Sequence, residues 1–295
     1  MTHKSEWLAP DTINDVIQLL RDDPLNTRLL AGGTDLQLEL RQHGNVNTTR
    51  LLSLHRVRDL SGITQLEDAW IRIGATTRIC DLLESQLVQQ KLPLLAKAAA
   101  LIGCAQTRNL ATIGGNIVNA AACADTVPPL LVYNAELLLQ SHLGERRLPL
   151  AGFIERPYTT AIGRDELLTA IIVPPGEWRH PMTAFRKLGR RKALNITRIS
   201  VAALLDLDKS GVIRAARLSG GSVMPTPHRI TPAEVILTDS KATPALMSRA
   251  AAAAAKYVFG LQPERWSTTY KRPVFENMVR DTLLSIMATC HEESR

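Results

Sequence analysis

Apolar residues between Ile13 and Leu20 recur at three- and four-residue intervals, which is the spacing of one face of an α-helix. Asp11 or Thr12 stands just before this segment and is a suitable N-cap, because a short polar side chain can accept a hydrogen bond from a first-turn amide. The pattern therefore predicts a short amphipathic helix that ends at Asp22–Pro24.

Short apolar runs bounded by turn residues follow this helix and predict strands. The runs before residue 177 are Thr27–Ala31, Leu51–Leu54, Ile71–Ala75, Leu137–Leu139 and Leu167–Val173. Pro93 opens a strongly apolar helix over Leu94–Ile102, and Thr76–Leu83 has the pattern of a helix start. Pro128–Pro129 is expected to break the chain, and residues 109–119 show no helical period.

The pattern changes near residue 178, where a basic stretch, Arg186–Arg198, leads into a second group of elements. Strands are predicted over Ile199–Leu207 and Ile213–Leu218, and helices over residues 245–259 and Phe275–Met287. Strands and helices alternate unevenly, which favours an α+β fold over a doubly wound parallel sheet. The predicted domains are residues 1–177 and residues 178–295.

The composition is that of a globular protein with a surplus of positive charge. Of the 295 residues, 45% are hydrophobic and 21% are charged, which excludes a disordered, fibrous or disulfide-rich chain. The chain has 35 Lys and Arg against 28 Asp and Glu, and the net charge of +7 makes nucleic acid a partner to consider. Aromatic residues make up only 4%, which leaves few platforms for stacking bases. The nucleic-acid alternative rests on the net charge and on Arg186, Lys187, Arg190, Arg191 and Lys192.

The four cysteines and seven histidines show no spacing typical of a metal site. There is no Cys-x-x-Cys, and no two histidines lie three or four residues apart, so we expect no metal on this chain. The longest charge-free window, between Arg108 and Asp125, is too short and too polar to span a bilayer. Met1–Trp7 lacks the apolar run of a signal peptide, so we expect a cytoplasmic protein.

A pair of adjacent glycines, Gly32 and Gly33, follows a predicted strand and precedes Thr34 and Asp35. Glycines allow positive φ and can turn consecutive N–H groups to one side, where they bind anionic oxygens. A plain tight turn is the alternative for this segment taken alone. The chain contains neither Gly-x-Gly-x-x-Gly nor Gly-Lys-Ser/Thr, which argues against a Rossmann dehydrogenase and a P-loop enzyme.

A second glycine pair, Gly114 and Gly115, is flanked by Thr112 and Asn116, and Asp125 follows. Thr and Asn hydrogen-bond the local backbone, so we expect a polar loop here rather than a strand. A buried Asn116 without a partner would cost about 1–3 kcal/mol. Two such segments about 80 residues apart predict one extended ligand held between them, and a diphosphate joined to a heterocycle fits.

The two segments, Ala31–Asp35 and Thr112–Asn116, resemble those of the FAD-binding subunit of the molybdenum hydroxylases, which include enzymes of the xanthine, nicotinate and carbon monoxide dehydrogenase type. The resemblance continues through Arg72–Thr76, Gln106–Asn109 and Phe185–Thr197, so it covers nearly the whole chain. It implies an α+β FAD-binding domain of the vanillyl-alcohol-oxidase (PCMH) type. A C-terminal sheet-and-helix domain of the CO dehydrogenase flavoprotein type would follow it. The subdomains implied for the first domain are residues 1–57 and 58–177.

The resemblance also implies which residues bind FAD. The first glycine segment would wrap the diphosphate, and the second would add backbone amides to the same cradle. Asp125 would hydrogen-bond the cofactor, Ile102 would pack near the flavin ring, and Lys187 would bring a positive charge close to it. Core packing is the alternative for Ile102 and Leu168, and a solvated charge is the alternative for Lys187. The implied set is Leu29, Leu30, Ala31, Gly32, Gly33, Thr34, Asp35, Leu36, Ile102, Thr112, Ile113, Gly114, Gly115, Asn116, Asp125, Leu168 and Lys187.

A subunit of this kind is an oxidoreductase component that does not hydroxylate the substrate itself, and we expect no catalytic side chain. The resemblance implies a molybdopterin-binding large subunit and a [2Fe–2S] small subunit as partners. Electrons would pass from the clusters to FAD on this chain and then to NAD or another acceptor. Xanthine or another purine, nicotinate and related heterocycles stay open as substrates of the complex. A stand-alone FAD-dependent oxidoreductase of the same fold is the alternative.

Overall fold

The computed structural model describes residues 6–43, 50–191, 195–261, 263–264 and 266–293. Lys192, which the nucleic-acid alternative includes, lies outside the described residues. The helices are α1 (Ile13–Asp22), α2 (Leu36–His43), α3 (Ile79–Glu84), α4 (Gln86–Lys91), α5 (Pro93–Ala100), α6 (Ala105–Leu110), α7 (Ile113–Val118), α8 (Val127–Val132), α9 (Thr231–Leu237), α10 (Pro244–Gly260) and α11 (Thr268–Glu293). The strands are β1 (Glu6–Leu8), β2 (Thr27–Leu30), β3 (Arg50–Ser53), β4 (Ile63–Gln65), β5 (Ile71–Gly74), β6 (Glu136–Ser141), β7 (Gly144–Pro149), β8 (Ile154–Arg156), β9 (Thr159–Thr160), β10 (Leu167–Val173), β11 (Pro181–Gly189), β12 (Thr197–Leu207), β13 (Val212–Gly221) and β14 (Ser240–Lys241).

The first unit is a small parallel sheet of order β1-β3-β2 with α1 packed beside it. Helix α1 confirms the predicted amphipathic helix, and Thr12 is its N-cap, since Thr12 Oγ1 accepts a hydrogen bond from the Asp15 amide at 3.1 Å. Val16 and Leu20 are buried against Leu52 of β3. Strand β2 ends at the first glycine pair, so this unit fixes where that segment begins.

The second unit is an antiparallel sheet of order β4-β5-β10-β6-β7. Its central strand β10 has the predicted bounds, and all seven of its residues are buried. A continuous apolar run is typical of a strand covered on both faces, because neither face needs polar residues. Helix α7 packs on β10 and carries the second glycine pair.

The third unit is an antiparallel sheet of order β11-β12-β13-β14, with α9 and α11 packed on one face and α10 packed against both helices. The predicted strands and helices after residue 178 are all present, but α11 extends about two turns beyond each predicted end. The alanines of α10 allow close approach, and Ala250 and Ala254 are fully buried with Phe275 of α11. The other face of this sheet contacts α5 and α8, so the third unit packs on the second.

Two expectations from the sequence are wrong in this region. Pro128–Pro129 does not break the chain but lies in the first turn of α8, where a missing N–H costs no helical hydrogen bond. Residues 109–119 are mostly helical, since they include the end of α6 and all of α7. Both helices are only six residues long, too short for a periodic apolar pattern to emerge.

Together these units form an α+β fold, as predicted. None of the helices within the described ranges combines the length and the apolar character needed to cross a bilayer.

Candidate functional site

The first glycine segment joins β2 to α2 through a turn with exposed backbone donors. Gly33 has a φ of +68°, a left-handed conformation that favours glycine. The amides of residues 32–35 donate to no residue that the structure describes. The carbonyls of Gly33 and Asp35 accept the hydrogen bonds that begin α2. This nest of amides at a helix start is suited to bind an anion such as a diphosphate.

Gly32 brings this turn into direct backbone contact with the chain that leads to the second glycine segment. A methyl group at Gly32 would overlap the carbonyl oxygen of Leu110 and would lie 2.9 Å from the Cα of Ala111. Asn119, just beyond α7, donates a hydrogen bond from Nδ2 to Asp35 Oδ2 at 3.1 Å. The two segments that the sequence predicts to hold one ligand therefore lie side by side.

The second glycine segment is the first turn of α7 rather than a loop. Thr112 is the N-cap, and its Oγ1 accepts a hydrogen bond from the Gly115 amide at 3.2 Å. The Ile113 and Gly114 amides donate to Thr77 and Ala75 at 3.0 and 2.8 Å, and the Asn116 amide donates to the Thr112 carbonyl at 3.0 Å. The amides of residues 113–116 therefore already have acceptors within the protein, so the predicted amide cradle depends mainly on the first glycine segment.

The glycines of this second pair serve close packing. A Cβ at Gly114 would lie 2.6 Å from the carbonyl oxygen of Ala75 at the end of β5, so only glycine fits there. The side chain of Asn116 accepts a hydrogen bond from Thr126 Oγ1 at 2.7 Å. This bond ties α7 to the segment that contains Asp125.

Asp125 and Lys187 form a buried ion pair that connects the second and third units. Lys187 Nζ lies 2.7 Å from Asp125 Oδ2, both side chains are 5% exposed, and Nζ also donates to the Leu101 carbonyl at 2.8 Å. Thr197 Oγ1 donates to the other oxygen, Asp125 Oδ1, at 2.6 Å. Burial raises the pKa of the Asp125 carboxyl, while Lys187 acts in the opposite direction. Lys187 is therefore buried, and the alternative interpretation of a solvated surface charge does not apply.

Ile102 directly follows Leu101, the residue whose carbonyl Lys187 contacts. Its side chain is partly buried against the main apolar core, and its own carbonyl accepts a hydrogen bond from Arg108 Nη1 at 2.9 Å. Leu168 lies within β10 and is 4% exposed among core residues. Its neighbour Thr169 accepts the Ala75 amide at 3.0 Å, next to the second glycine pair.

The sequence did not reveal the residues whose side chains hydrogen-bond the predicted site residues. Thr126 and Thr197 hold the side chains of Asn116 and Asp125, and Asn119 holds Asp35. No local pattern marks Thr197, since β12 also contains Arg198, Ser200 and Asp206. Among the described residues, no three His, Cys, Asp or Glu side chains converge on a point where they could bind a metal ion, and Cys80, Cys104 and Cys123 are free thiols.

Comparison with known proteins places this geometry in a family. Residues 3–176 match the FAD binding domain in molybdopterin dehydrogenase, and residues 183–286 match the CO dehydrogenase flavoprotein C-terminal domain. The xanthine dehydrogenase FAD-binding subunit of Escherichia coli O157:H7 is 40% identical over 223 residues, which cover 76% of this chain and 75% of that protein. The nicotinate dehydrogenase FAD-subunit of Eubacterium barkeri is 28% identical over 297 residues, which cover 97% of this chain and 99% of that protein.

Among solved structures, carbon monoxide dehydrogenase from Hydrogenophaga pseudoflava aligns with a TM-score of 0.88 and 28% identity. That alignment covers 98% of this chain and 99% of the matched chain. The family models, the curated relatives and the fold agree with the resemblance found in the two glycine segments. The chain belongs to the FAD-binding domain family of the molybdopterin dehydrogenases and is an FAD-binding medium subunit of the molybdenum hydroxylase type.

Proposed function

We propose that this chain holds FAD between its first glycine segment and the Asp125–Lys187 pair, and that it relays electrons within a molybdopterin-dependent hydroxylase. The domain division is residues 1–177 for FAD binding and residues 178–295 for the C-terminal domain. The proposed FAD-contacting residues are Leu29, Leu30, Ala31, Gly32, Gly33, Thr34, Asp35, Leu36, Ile102, Thr112, Ile113, Gly114, Gly115, Asn116, Asp125, Leu168 and Lys187.

The observation that carries this proposal is the row of amides at residues 32–35. They donate to no described residue, and they lie at the start of α2, where the helix dipole favours negative charge. The Asp35 carboxylate accepts a hydrogen bond from Asn119 at 3.1 Å and accepts none from the amides of residues 32–35. These residues fit a diphosphate, which their amides would hold without any charged side chain.

The opposite end of the site is suited to a flavin ring. Ile102 offers an apolar contact, and the buried Lys187 supplies a positive charge that stabilises negative charge nearby. Bound FAD stores two electrons and can release them one at a time. Thr112 and Asn116 would contribute through their side chains, because the amides of residues 113–116 already have acceptors within the protein.

The partners are a molybdopterin-binding large subunit and a [2Fe–2S] small subunit, and this chain passes electrons from those clusters to NAD or another acceptor. The substrate of the complex is xanthine, another purine or a related N-heterocycle, and the complex works in the cytoplasm. The relative with 40% identity, a xanthine dehydrogenase FAD-binding subunit, supports this choice. The proposal gives the chain no substrate chemistry of its own.

The direct test is the flavin content of the purified chain after denaturation. We expect about one FAD per chain, released into solution because binding is non-covalent. Gly33→Val should lower this content strongly, since a β-branched residue does not tolerate the positive φ at this position. Gly260→Ala is the matched control, because nothing lies within 4 Å of a Cβ added there. Absence of flavin even after reconstitution with FAD would contradict the proposal.

Turnover separates this function from that of a stand-alone oxidoreductase. The isolated chain should pass electrons between NADH and a dye but should not oxidise a purine or nicotinate. The complex with its partner subunits should oxidise one of them. Purine or nicotinate oxidation by the isolated chain would support the stand-alone alternative.

A further inference from the structure

Strand β11 lies at one edge of the third sheet. One side of the strand pairs with β12 over Pro181–Gly189, and its other side faces no strand among the described residues. An unpaired edge presents a row of N–H and C=O groups to which another extended chain can bind.

One hydrogen bond identifies the groups on this outer edge. Lys97 of α5 donates from Nζ to the carbonyl oxygen of Thr183 at 2.7 Å, so that carbonyl points away from β12. Peptide groups alternate in direction along a strand, so Phe185 also turns its N–H and C=O outward. The Thr183 and Phe185 amides therefore face away from β12 as well.

The register across the sheet gives the same assignment independently. The backbone of Leu218 in β13 makes its hydrogen bonds on the side away from β12. Its N–H donates to Glu234 Oε1, and its C=O accepts from the Ile230 amide. Its partner in the register is Ala203, whose groups must then face β11, where Ala184 is its partner. Ala184 therefore pairs inward, and its neighbours Thr183 and Phe185 face outward.

This outer edge lies in a groove of about 590 Å³. Residues Pro181–Arg186 form its floor, with Lys97 of α5 on one wall and Ser285, Ile286 and Thr289 of α11 on the other. A strand rises about 3.3 Å per residue, so the six floor residues span about 20 Å. A slot of this length between two helices fits one extended chain better than the edge of a second sheet.

The groove is positively charged. Its lining includes Lys97 and Arg186 but no carboxylate. Arg186 is exposed, and none of the described residues pairs with its guanidinium. Partial burial lowers the pKa of Lys97, and its Nζ rests on the Thr183 carbonyl, a neutral acceptor. An incoming carboxylate would be a stronger partner for both cations than the groups they have now.

We propose that β11 accepts an extended acidic segment of a partner subunit, which adds a fifth strand to the sheet. The segment hydrogen-bonds to the outward groups of Thr183 and Phe185 and places carboxylates at Lys97 and Arg186. A second copy of this chain is a poor occupant, because its own β11 would bring arginine and lysine against the same charges. The inference rests on the proposed function, since that function supplies the partner subunits.

Hydrogen exchange on the purified complex tests this pairing. In the isolated chain, the amides of Thr183 and Phe185 should exchange rapidly, while those of Met182, Ala184 and Arg186 are protected by β12. In the complex, both outward amides should slow by about tenfold or more. Equal exchange of these two amides in the isolated chain and in the complex would overturn the proposal.

Two variants test the charge and the backbone separately. Arg186→Glu should weaken association with the partner subunits by about tenfold, and Arg164→Glu, at an exposed arginine outside the groove, should not. Thr183→Pro removes an outward N–H without removing a bond to β12, so it should fold and yet weaken association. If Arg186→Glu and Thr183→Pro both bound the partner subunits as tightly as the wild type, the proposal would be overturned.

The same measurements distinguish other occupants and the failure of the proposed function. Protection of the outward amides in the isolated chain that rises with its concentration would indicate a second copy, and protection by citrate alone would indicate a small anion. Either result overturns the inference. FAD content is measured on every variant: flavin-loaded chains without protection contradict only this inference, whereas chains that never bind flavin contradict the proposed function itself.

Discussion

Lys187 and Asp125 lie 62 residues apart in the sequence, yet their charged groups are 2.7 Å apart in a site where each side chain is 5% exposed. Lys187 belongs to β11 and Asp125 to the segment before α8, so the pair joins the sheet of the third unit to the helices of the second. Burying two charges is costly, and a buried pair of this kind adds little net stability over an apolar pair. Lys187 also contacts the carbonyl of Leu101, and the proposed function gives this pair a role in cofactor binding.

Lys187→Met should lower the free energy of unfolding by about 3–5 kcal/mol, because it leaves the Asp125 carboxylate buried without its partner. Urea denaturation of the flavin-free chain measures this loss without a contribution from bound FAD. The double variant with Asp125→Asn should recover part of the stability, since it removes the orphaned charge.

Lys209→Met is the matched control for this change. Lys209 is exposed at the turn between β12 and β13, and its replacement should change the free energy of unfolding by less than about 0.5 kcal/mol. If Lys187→Met and Lys209→Met gave the same small effect, the buried pair would not exist in solution.

Gly32→Ala should destabilise the chain by about 1–3 kcal/mol, because the added methyl group has to displace the backbone of Leu110. It should also lower FAD affinity, since the displaced turn carries the amides of the proposed diphosphate site. Thermal unfolding and equilibrium dialysis with FAD measure the two effects. Gly260→Ala, with open space at its Cβ, should show neither effect.

Thr112→Val keeps the shape of the side chain but removes the hydroxyl that caps α7 at the Gly115 amide. Loss of an N-cap of this kind typically costs about 1 kcal/mol. Thr64→Val at an exposed position of the edge strand β4 should be neutral within about 0.5 kcal/mol. Chemical denaturation compares the two, and equal stability of both variants would contradict the capping role of Thr112.

Glu166 directly precedes β10, and its ion pair makes the stability of the folded chain depend on pH in the acid range. Arg146 donates two hydrogen bonds to its carboxylate at 2.5 and 2.8 Å, and these bonds hold the pKa of Glu166 below 4.5 against the effect of partial burial. With a lowered pKa, the folded chain binds fewer protons than the unfolded chain near pH 4.5. The stability from this contact is present above pH 4.5 and is lost as the pH falls through the folded-state pKa.

Glu166→Gln should therefore be less stable than the wild type near neutral pH, and the difference should shrink below pH 4.5. Urea denaturation between about pH 7 and about pH 2.5 follows this convergence. Glu84→Gln, at an exposed carboxylate on α3, is the control for general acid effects. A constant difference between wild type and Glu166→Gln across the range would contradict the assignment.

The sequence by itself determined part of the secondary structure and the positions of the two glycine segments. Helix α1, strand β10 and the C-terminal helices follow from local periodicity, because a buried face repeats with the geometry of its own element. The glycine pairs stand out since their residue types are rare in strands and helices. Their resemblance to the FAD-binding family needed no contact information.

Only the tertiary structure decided what each of these residues does. The Thr112–Asn116 segment begins a capped helix, and the amides of residues 113–116 already bond to Ala75, Thr77 and Thr112, whereas those of residues 32–35 have no acceptor among the described residues. Lys187 meets Asp125, and Thr183 turns its carbonyl away from β12. These facts depend on which distant segments pack together, and a pattern that repeats every two or four residues carries no information about such contacts.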